Sequence, residues 1–157
     1  MFFLYHKTTR PTGRVLAKAL GFQHFGLRLK STPDFLVRWG NSTPVNVPDG
    51  RQINTPAAIS RASDKLVAFN KFKENNVSIP WFTTSQVEAE AKRQEGSIIF
   101  GRTRKGSKAR GLVVYTTNVV GYHELYTEYI PNTREYRLHV VGANVVRVQR
   151  KYPTGGN

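Results

Sequence analysis

The densest group of chemically active residues lies in the glycine-rich loop between Gly101 and Gly111. A third glycine, Gly106, lies inside it, and its five basic residues are Arg102, Arg104, Lys105, Lys108 and Arg110. Glycine lets backbone N–H groups approach phosphate oxygens closely, and cations neutralise those oxygens. Because Ser107-Lys108 follows Gly106 and a strand is predicted to follow the loop, the pattern is not that of a P-loop. Two interpretations stay open: a phosphate-binding connection between antiparallel strands, and a solvated basic hairpin.

Other catalytic chemistry has little support in the sequence. The four histidines show no metal-ligand spacing. Only three carboxylates follow residue 100, namely Glu124, Glu128 and Glu135, which is few for paired acid–base catalysis. The absence of cysteine excludes disulfides, thiolate zinc sites, iron–sulfur clusters and cysteine nucleophiles. The sequence therefore predicts no metal-binding residues.

The charge of the chain points to a polyanionic partner. Its 157 residues include 24 basic and 10 acidic side chains, a net charge of +14. Nucleotide phosphates, nucleic acid and an acidic protein all fit such a surplus. Apolar residues make up 39%, as in a folded protein, and no apolar run approaches the roughly 20 residues of a membrane span. We therefore expect a cytoplasmic protein with no membrane partner.

The first part of the chain alternates between predicted strand and helix. Strands are predicted at the aromatic N-terminus and over residues 35–39, with a short helix over 14–20 between them. The stretch 41–55 has prolines, a glycine and several asparagines, which is typical of a loop. We place a boundary at its end, so that residues 1–55 form one lobe and residues 56–157 a second.

The second part combines helices with antiparallel strands. Ser63 is predicted to cap a helix over Asp64–Asn76, and Ser85 to cap another over Gln86–Gln94. Further strands are predicted over 97–101, 112–115, 122–130, 136–141 and 145–149. The fold class is therefore α+β.

Four segments occur in a distinctive order. They are Asp64-Lys65 with the helix leading to Ile79-Pro80, Ile98–Arg102 with the glycine-rich loop, Tyr126–Ile130, and Glu135–Gly142 with the strand to Lys151. Together they resemble the ATP-grasp superfamily, in a form similar to compact bacteriophage members. The resemblance implies a two-lobed fold. A small α/β lobe over 1–55 precedes an antiparallel-sheet-plus-helix lid and the start of a large lobe over 56–157.

The resemblance also implies an ATP site. Its phosphate-binding residues would be Lys65, Arg102, Lys105, Gly106, Ser107, Lys108 and Gly111. The segment Glu128, Tyr129 and Ile130 resembles a hinge that holds adenine, with Tyr129 and Ile130 acting through their backbones. Glu135 lies seven residues after Glu128, the spacing of a carboxylate that accepts the ribose hydroxyls.

The resemblance is least complete for the catalytic residues. Arg137 and Arg150 would be catalytic, because positive charge there would stabilise an acyl phosphate. Mg²⁺ is expected for the family, but its acidic ligands lie beyond the strand ending at Lys151, and no Asp or Glu follows Glu135. We expect a ligase if the chain continues past residue 157, and no complete catalysis from these 157 residues alone.

Two functions follow as hypotheses. The first is an ATP-dependent carboxylate–amine ligase, with an acidic peptide or protein as acceptor. Arg38, Trp39 and Asn41 are candidates for its acceptor pocket, although simple packing and a turn also explain them. The alternative is a degenerate, non-catalytic bacteriophage protein in the host cytoplasm that binds nucleic acid or an acidic host protein through its basic surface.

Overall fold

A four-stranded parallel sheet forms the first part of the fold in the computed structural model, which describes residues 1–5, 10–25, 33–106, 109–141 and 143–152. Its strands are β1 (Phe2–Tyr5), β2 (Gln23–Phe25), β3 (Leu36–Trp39) and β4 (Gln52–Ile53), in the order β2-β1-β3-β4. All three pairings are parallel. The stretch predicted to be a loop thus contains a short strand, β4, which a 3-10 turn over Asp49–Arg51 precedes.

The helix α1 (Arg10–Ala19) connects β1 to β2 and packs on β1. A Cβ at Gly13 would lie 2.8 Å from the Cβ of Tyr5, so helix and strand approach as closely as glycine allows. The sequence predicted this helix only from residue 14 onwards. That prediction was wrong, because proline is tolerated in the first turn of a helix, where its missing N–H is not needed.

Three further helices follow, which are α2 (Pro56–Ser63), α3 (Lys65–Glu74) and α4 (Gln86–Gln94). The prediction that Ser63 caps the second of them was wrong, because its hydroxyl donates to the Ser60 carbonyl inside α2. Asp64 is the cap instead, and its carboxylate accepts from the N–H groups of Leu66 and Val67. The predicted cap of α4 is confirmed, since the Ser85 hydroxyl accepts from the Glu88 N–H at 3.3 Å.

A second sheet, which is antiparallel, follows in the chain. It comprises β5 (Phe82–Thr83), β6 (Ile99–Arg102), β7 (Val113–Tyr115) and β8 (Leu125–Glu128), in the order β5-β8-β6-β7. Helix α4 covers one face, where Ala89 packs with Ile99, Tyr115, Val120 and Tyr126. The opposite face carries Phe82, whose ring lies 5.2 Å from that of Phe69 in α3.

The ring of His123 leaves no room for a side chain at Gly101, on the helix-covered face of the sheet. A Cβ at Gly101 would lie 2.6 Å from Nε2 of His123 and closer still to Cδ2. The ring is held in place, because its Nε2 lies 2.7 Å from the hydroxyl of Tyr115 and its backbone N–H donates to the hydroxyl of Tyr126. The absence of a side chain on β6 thus makes room for the imidazole.

A hairpin of β9 (Glu135–Val141) and β10 (Asn144–Lys151) ends the described chain. A bulge between Val145 and Arg147 shifts its register by one residue. One face is mainly apolar: it carries Tyr136, Leu138, Val140, Val145 and Val148, each at least half exposed, with Arg150 at its end. The opposite face is polar and predominantly basic.

The architecture is α+β, as the sequence predicted, and no strand of the parallel sheet pairs with the later strands in the described ranges. The division into lobes at residues 55 and 56 stays a prediction. Within the described helices, none is long and apolar enough to span a membrane.

Candidate functional site

The face of the second sheet opposite α4 carries Phe100, Arg102 and Thr127. They share it because Phe100 pairs directly with Thr127, and Arg102 lies two residues along β6. The guanidinium carbon of Arg102 lies 5.5 Å from the centre of the Phe100 ring, within the range of a cation–π contact. The ring of Tyr129 lies 5.4 Å from the same phenyl ring. Two aromatic rings and one cation therefore line this surface.

Two buried polar atoms on this face have no hydrogen-bond partner among the residues that the structure describes. They are Nε of Arg102 and Oγ1 of Thr127. In the described part of the chain no carboxylate forms an ion pair with Arg102, and burial lowers the pKa of its guanidinium. Buried polar groups are almost always paired, and an unpaired buried charge is costly. An anion bound to the guanidinium of Arg102 would supply the negative charge that this face lacks.

One end of the glycine-rich loop is fixed to the start of α3. The guanidinium of Arg104 donates to both oxygens of Asp64, at 3.1 Å from Nε and 2.6 Å from Nη2. The hydrogen bond from Arg104, together with those from two backbone N–H groups, holds the pKa of Asp64 below its usual value, although burial opposes this. The backbone N–H of Arg104 donates to the carboxylate of Glu124 at 3.1 Å.

The side chain of Lys65 lies against the same part of the loop. Its ammonium donates to the carbonyls of Thr103, Arg104 and Gly106 at 3.2, 3.3 and 3.1 Å. Its backbone N–H also donates to the carbonyl of Arg104 at 3.0 Å. The structure thus places Lys65 against the loop, where its ammonium binds loop carbonyls, and its predicted contact with phosphates stays a prediction.

Of the remaining loop residues, Lys105 and Gly106 are exposed, and Ser107 and Lys108 lie outside the described residues. Gly106 and Gly111 have φ values of +144° and +68°, which side chains rarely adopt. These two glycines therefore set the loop's path.

The predicted hinge follows β8. Its Glu128 side chain accepts from the Ser97 hydroxyl at 2.7 Å, and the N–H of Tyr129 donates to the carbonyl of Ile98. Among the described residues, neither the carbonyl of Tyr129 nor the N–H of Ile130 has a backbone partner. One acceptor and one donor next to each other suit the edge of a purine base.

The hairpin separates the two predicted catalytic arginines. Arg137 pairs with Gln149 on the polar face, whereas Arg150 pairs with Tyr136 on the apolar face and lies over the ring of Tyr152. Glu135, on the same face as Arg137, forms an ion pair with Lys151. Beside them is a cavity of about 400 Å³ lined by residues 132–135 and 150–152.

The proposed acceptor residues of the first lobe have internal roles. Arg38 and Asn41 are fully buried. Nη1 of Arg38 donates to the carbonyls of Asn41 and Thr43, and the Asn41 amide donates to the carbonyl of Tyr5. The indole N–H of Trp39 donates to the hydroxyl of Thr12. These contacts account for the three residues as packing and as support for a turn.

Sequence reasoning missed Asp64 and Arg104 as a pair, and it missed Thr127. Arg104 was one of five loop cations, and nothing local distinguished it from the others. Thr127 shares a face with Phe100 and Arg102 because of the β6–β8 register. The sequence alone does not fix that register, so it gave no signal for Thr127.

A scan against models of protein families finds no match, and a search of curated proteins finds none either. Solved structures do match. A RimK-domain ATP-grasp protein from Sphaerobacter thermophilus has a TM-score of 0.65 and 12% identity, over 98% of this chain and 73% of its own. D-alanine–D-alanine ligase from Bacillus anthracis has a TM-score of 0.55 and 9% identity, over 96% of this chain and 71% of its own.

The chain has an ATP-grasp-like fold. The likeness extends to the parallel sheet, beyond the segments on which the sequence resemblance depended. At these identities it is a likeness of fold, so the ligands of this ATP-grasp-like chain have to be argued from its own residues.

ATP and Mg²⁺ are the cofactors that an ATP-grasp-like fold implies. No three potential metal ligands cluster anywhere in the residues that the structure describes. Each late carboxylate also has a partner: Glu124 accepts from Arg104, Glu128 from Ser97, and Glu135 pairs with Lys151. These residues do not fit a Mg²⁺ site, and no reaction step is assigned to a metal held by them.

Proposed function

We propose that this ATP-grasp-like chain binds an adenine nucleotide at the Arg102 end of its second sheet, on the face opposite α4, as a carboxylate–amine ligase or part of one. The observation that carries the proposal is the buried pair of unsatisfied groups, Nε of Arg102 and Oγ1 of Thr127, directly before a glycine-rich basic loop. A phosphate bound to the guanidinium of Arg102 supplies the missing negative charge.

The rest of the nucleotide follows the chain towards the hairpin. The loop residues Lys105, Gly106, Ser107, Lys108 and Gly111 would cover the phosphates. Adenine would use the N–H of Ile130 and the carbonyl of Tyr129, with Glu128 fixing the end of β8. The ribose hydroxyls would donate to Glu135, which exchanges part of its ion pair with Lys151 for them.

The proposed reaction has two steps. A substrate carboxylate attacks the γ-phosphorus of ATP, which releases ADP and forms an acyl phosphate. An amine then attacks the acyl carbon, phosphate leaves, and the amine loses a proton. Of the two arginines predicted to be catalytic, Arg137 and Arg150, we propose that Arg137 contacts the acyl phosphate. Since they lie on opposite faces of the hairpin, one acyl phosphate contacts only one of them. Arg137 is on the side of Glu135.

Nucleotide binding is tested by thermal unfolding with ATP, ADP and adenosine, each with and without Mg²⁺. At 100 times its dissociation constant, ATP is expected to stabilise the chain by about 2.7 kcal/mol, because a ligand that binds only the folded state shifts the equilibrium by mass action. At the same concentration as ATP, ADP should stabilise the chain by a similar amount, and adenosine, which has no phosphates, by much less. Unchanged melting with both nucleotides would contradict the proposal.

A second candidate function is favoured by the outer surface of α1. Arg10, Arg14 and Lys18 recur every four residues, which places them in one exposed stripe. The helix has no acidic residue, and none of the three cations forms an ion pair within the described ranges. Such a stripe suits the phosphate backbone of nucleic acid. The bacteriophage origin implied by the sequence resemblance fits either function.

Changing all three stripe residues to glutamine is expected to lower the salt dependence of DNA binding. Each lost phosphate contact reduces the slope of log K against log salt by about 0.9, so the triple variant should lose about three units. The control K71Q/K73Q/K92Q removes the same charge from α3 and α4. If both triples change the slope equally, net charge alone acts and the stripe is not a site.

A further inference from the structure

Hydrogen bonds to one buried carboxylate join the start of α3 to the glycine-rich loop. The Asp64 carboxylate is almost fully buried and accepts four hydrogen bonds, two from the first turn of α3 and two from Arg104. The first turn of α3 and the loop thus donate to the same carboxylate. Bidentate arginine–carboxylate pairs fix geometry more strictly than single contacts do.

Lys65 also joins the start of α3 to the loop, but as a cation that donates hydrogen bonds to loop carbonyls. An ammonium group has three N–H donors, and each has a loop carbonyl as its acceptor. In this arrangement no donor is left for a phosphate. The lysine instead holds the carbonyls of residues 103, 104 and 106 on its own side of the loop and so fixes the backbone there.

We propose that Asp64, Lys65 and Arg104 form a loop anchor, in which Asp64 is a positioning residue that holds the glycine-rich loop in its phosphate-binding shape and Lys65 acts on the loop backbone. The inference rests on the proposed nucleotide site, which lies on the adjoining strand at Arg102. It differs from the role implied by the sequence resemblance, in which Lys65 touches the phosphates itself.

A simple charge argument predicts the opposite effect for Asp64. A carboxylate beside a basic loop repels an anionic ligand, so its removal would tighten ATP binding. The loop anchor predicts weaker binding, because the loop loses its fixed end and must be ordered at the expense of binding free energy. The sign of the change therefore separates the two explanations.

The test variant is Asp64→Asn. Asparagine caps helices as well as aspartate does, so α3 keeps its start while the ion pair with Arg104 is lost. Amide hydrogen exchange over residues 103–106 is expected to accelerate in the free protein. ATP is expected to bind about tenfold more weakly, the scale of one charge-assisted contact that is partly exposed, and adenosine equally well. A role in folding alone would weaken both ligands.

Glu74→Gln is the matched control, because it removes the same charge from the other end of α3 and breaks only the exposed pair with Lys71. It should change neither loop exchange nor ATP affinity. Lys65→Met separates the two roles of the lysine. The loop anchor predicts faster exchange together with weaker ATP binding, whereas a direct phosphate contact predicts weaker binding with unchanged exchange.

If Asp64→Asn does not fold, Arg104→Lys serves instead, since it keeps the charge and loses the two-pronged contact. Tighter ATP binding by Asp64→Asn, or loop exchange equal to that of the unmodified chain, overturns the inference. Exchange is measured without nucleotide. Faster exchange therefore supports the anchor even if the unmodified chain binds no ATP, a result that would refute the proposed function separately.

Discussion

Replacing Arg102 by methionine is expected to weaken ATP binding by about 10- to 100-fold while raising the stability of the free protein. The first effect is the loss of charge-assisted hydrogen bonds to phosphate. The second follows because the guanidinium is buried with an unsatisfied Nε and no carboxylate partner among the described residues. Methionine removes this cost and still packs on Phe100. Calorimetric titration and chemical unfolding measure the two effects.

The opposite signs make this prediction specific. A residue that only supports the fold would lose stability and affinity together. Arg61→Met, on the exposed surface of α2, is the control for charge, and it should leave both quantities almost unchanged. If Arg102→Met binds ATP as tightly as the unmodified chain, the phosphates are not held on this face of the sheet.

Replacing Gly101 by alanine is expected to destabilise the chain by about 3 kcal/mol, the upper end of the range for overpacking a buried position. The new methyl group would overlap the ring of His123, which cannot move without losing its contact with Tyr115. Gly50→Ala is the matched control, since nothing lies within 4 Å of a Cβ there. Denaturant unfolding gives both free energies.

A double variant decides whether the overlap is the cause. His123→Ala removes the ring that the new methyl group would strike, so in that background Gly101→Ala should cost far less. Double-mutant cycles report such coupling directly. Additive losses from the two substitutions would show that Gly101 matters for another reason.

The sequence predicted elements well where local chemistry decides them. Ser85 followed by Glu88 is a capping pattern, and α4 begins there. Ser63 and Asp64 are equally good caps by residue type, and local rules could not choose between them. The choice depends on Arg104, forty residues away, which pairs with Asp64 and not with Ser63.

The hairpin shows a second limit of sequence reasoning. Family order grouped Arg137 with Arg150, and an unbroken register from the pairing of Val145 with Val140 would have put both on one face. The bulge inserts one extra residue, so Arg150 pairs with Tyr136 instead of Glu135. A bulge moves every later side chain of its strand to the opposite face of the sheet. No turn residue in the sequence predicts this bulge.

The exposed apolar face of the hairpin also has a thermodynamic consequence. Unfolding raises the heat capacity mainly by exposing apolar surface, at about 12–15 cal/mol/K per residue in ordinary domains. Tyr136, Leu138, Val140, Val145 and Val148 are already half exposed when the chain is folded. Unfolding exposes only the remaining half of their surface, so these residues add less to that increment than buried residues of the same type would. Whatever covers this face adds a negative heat-capacity change to its own binding.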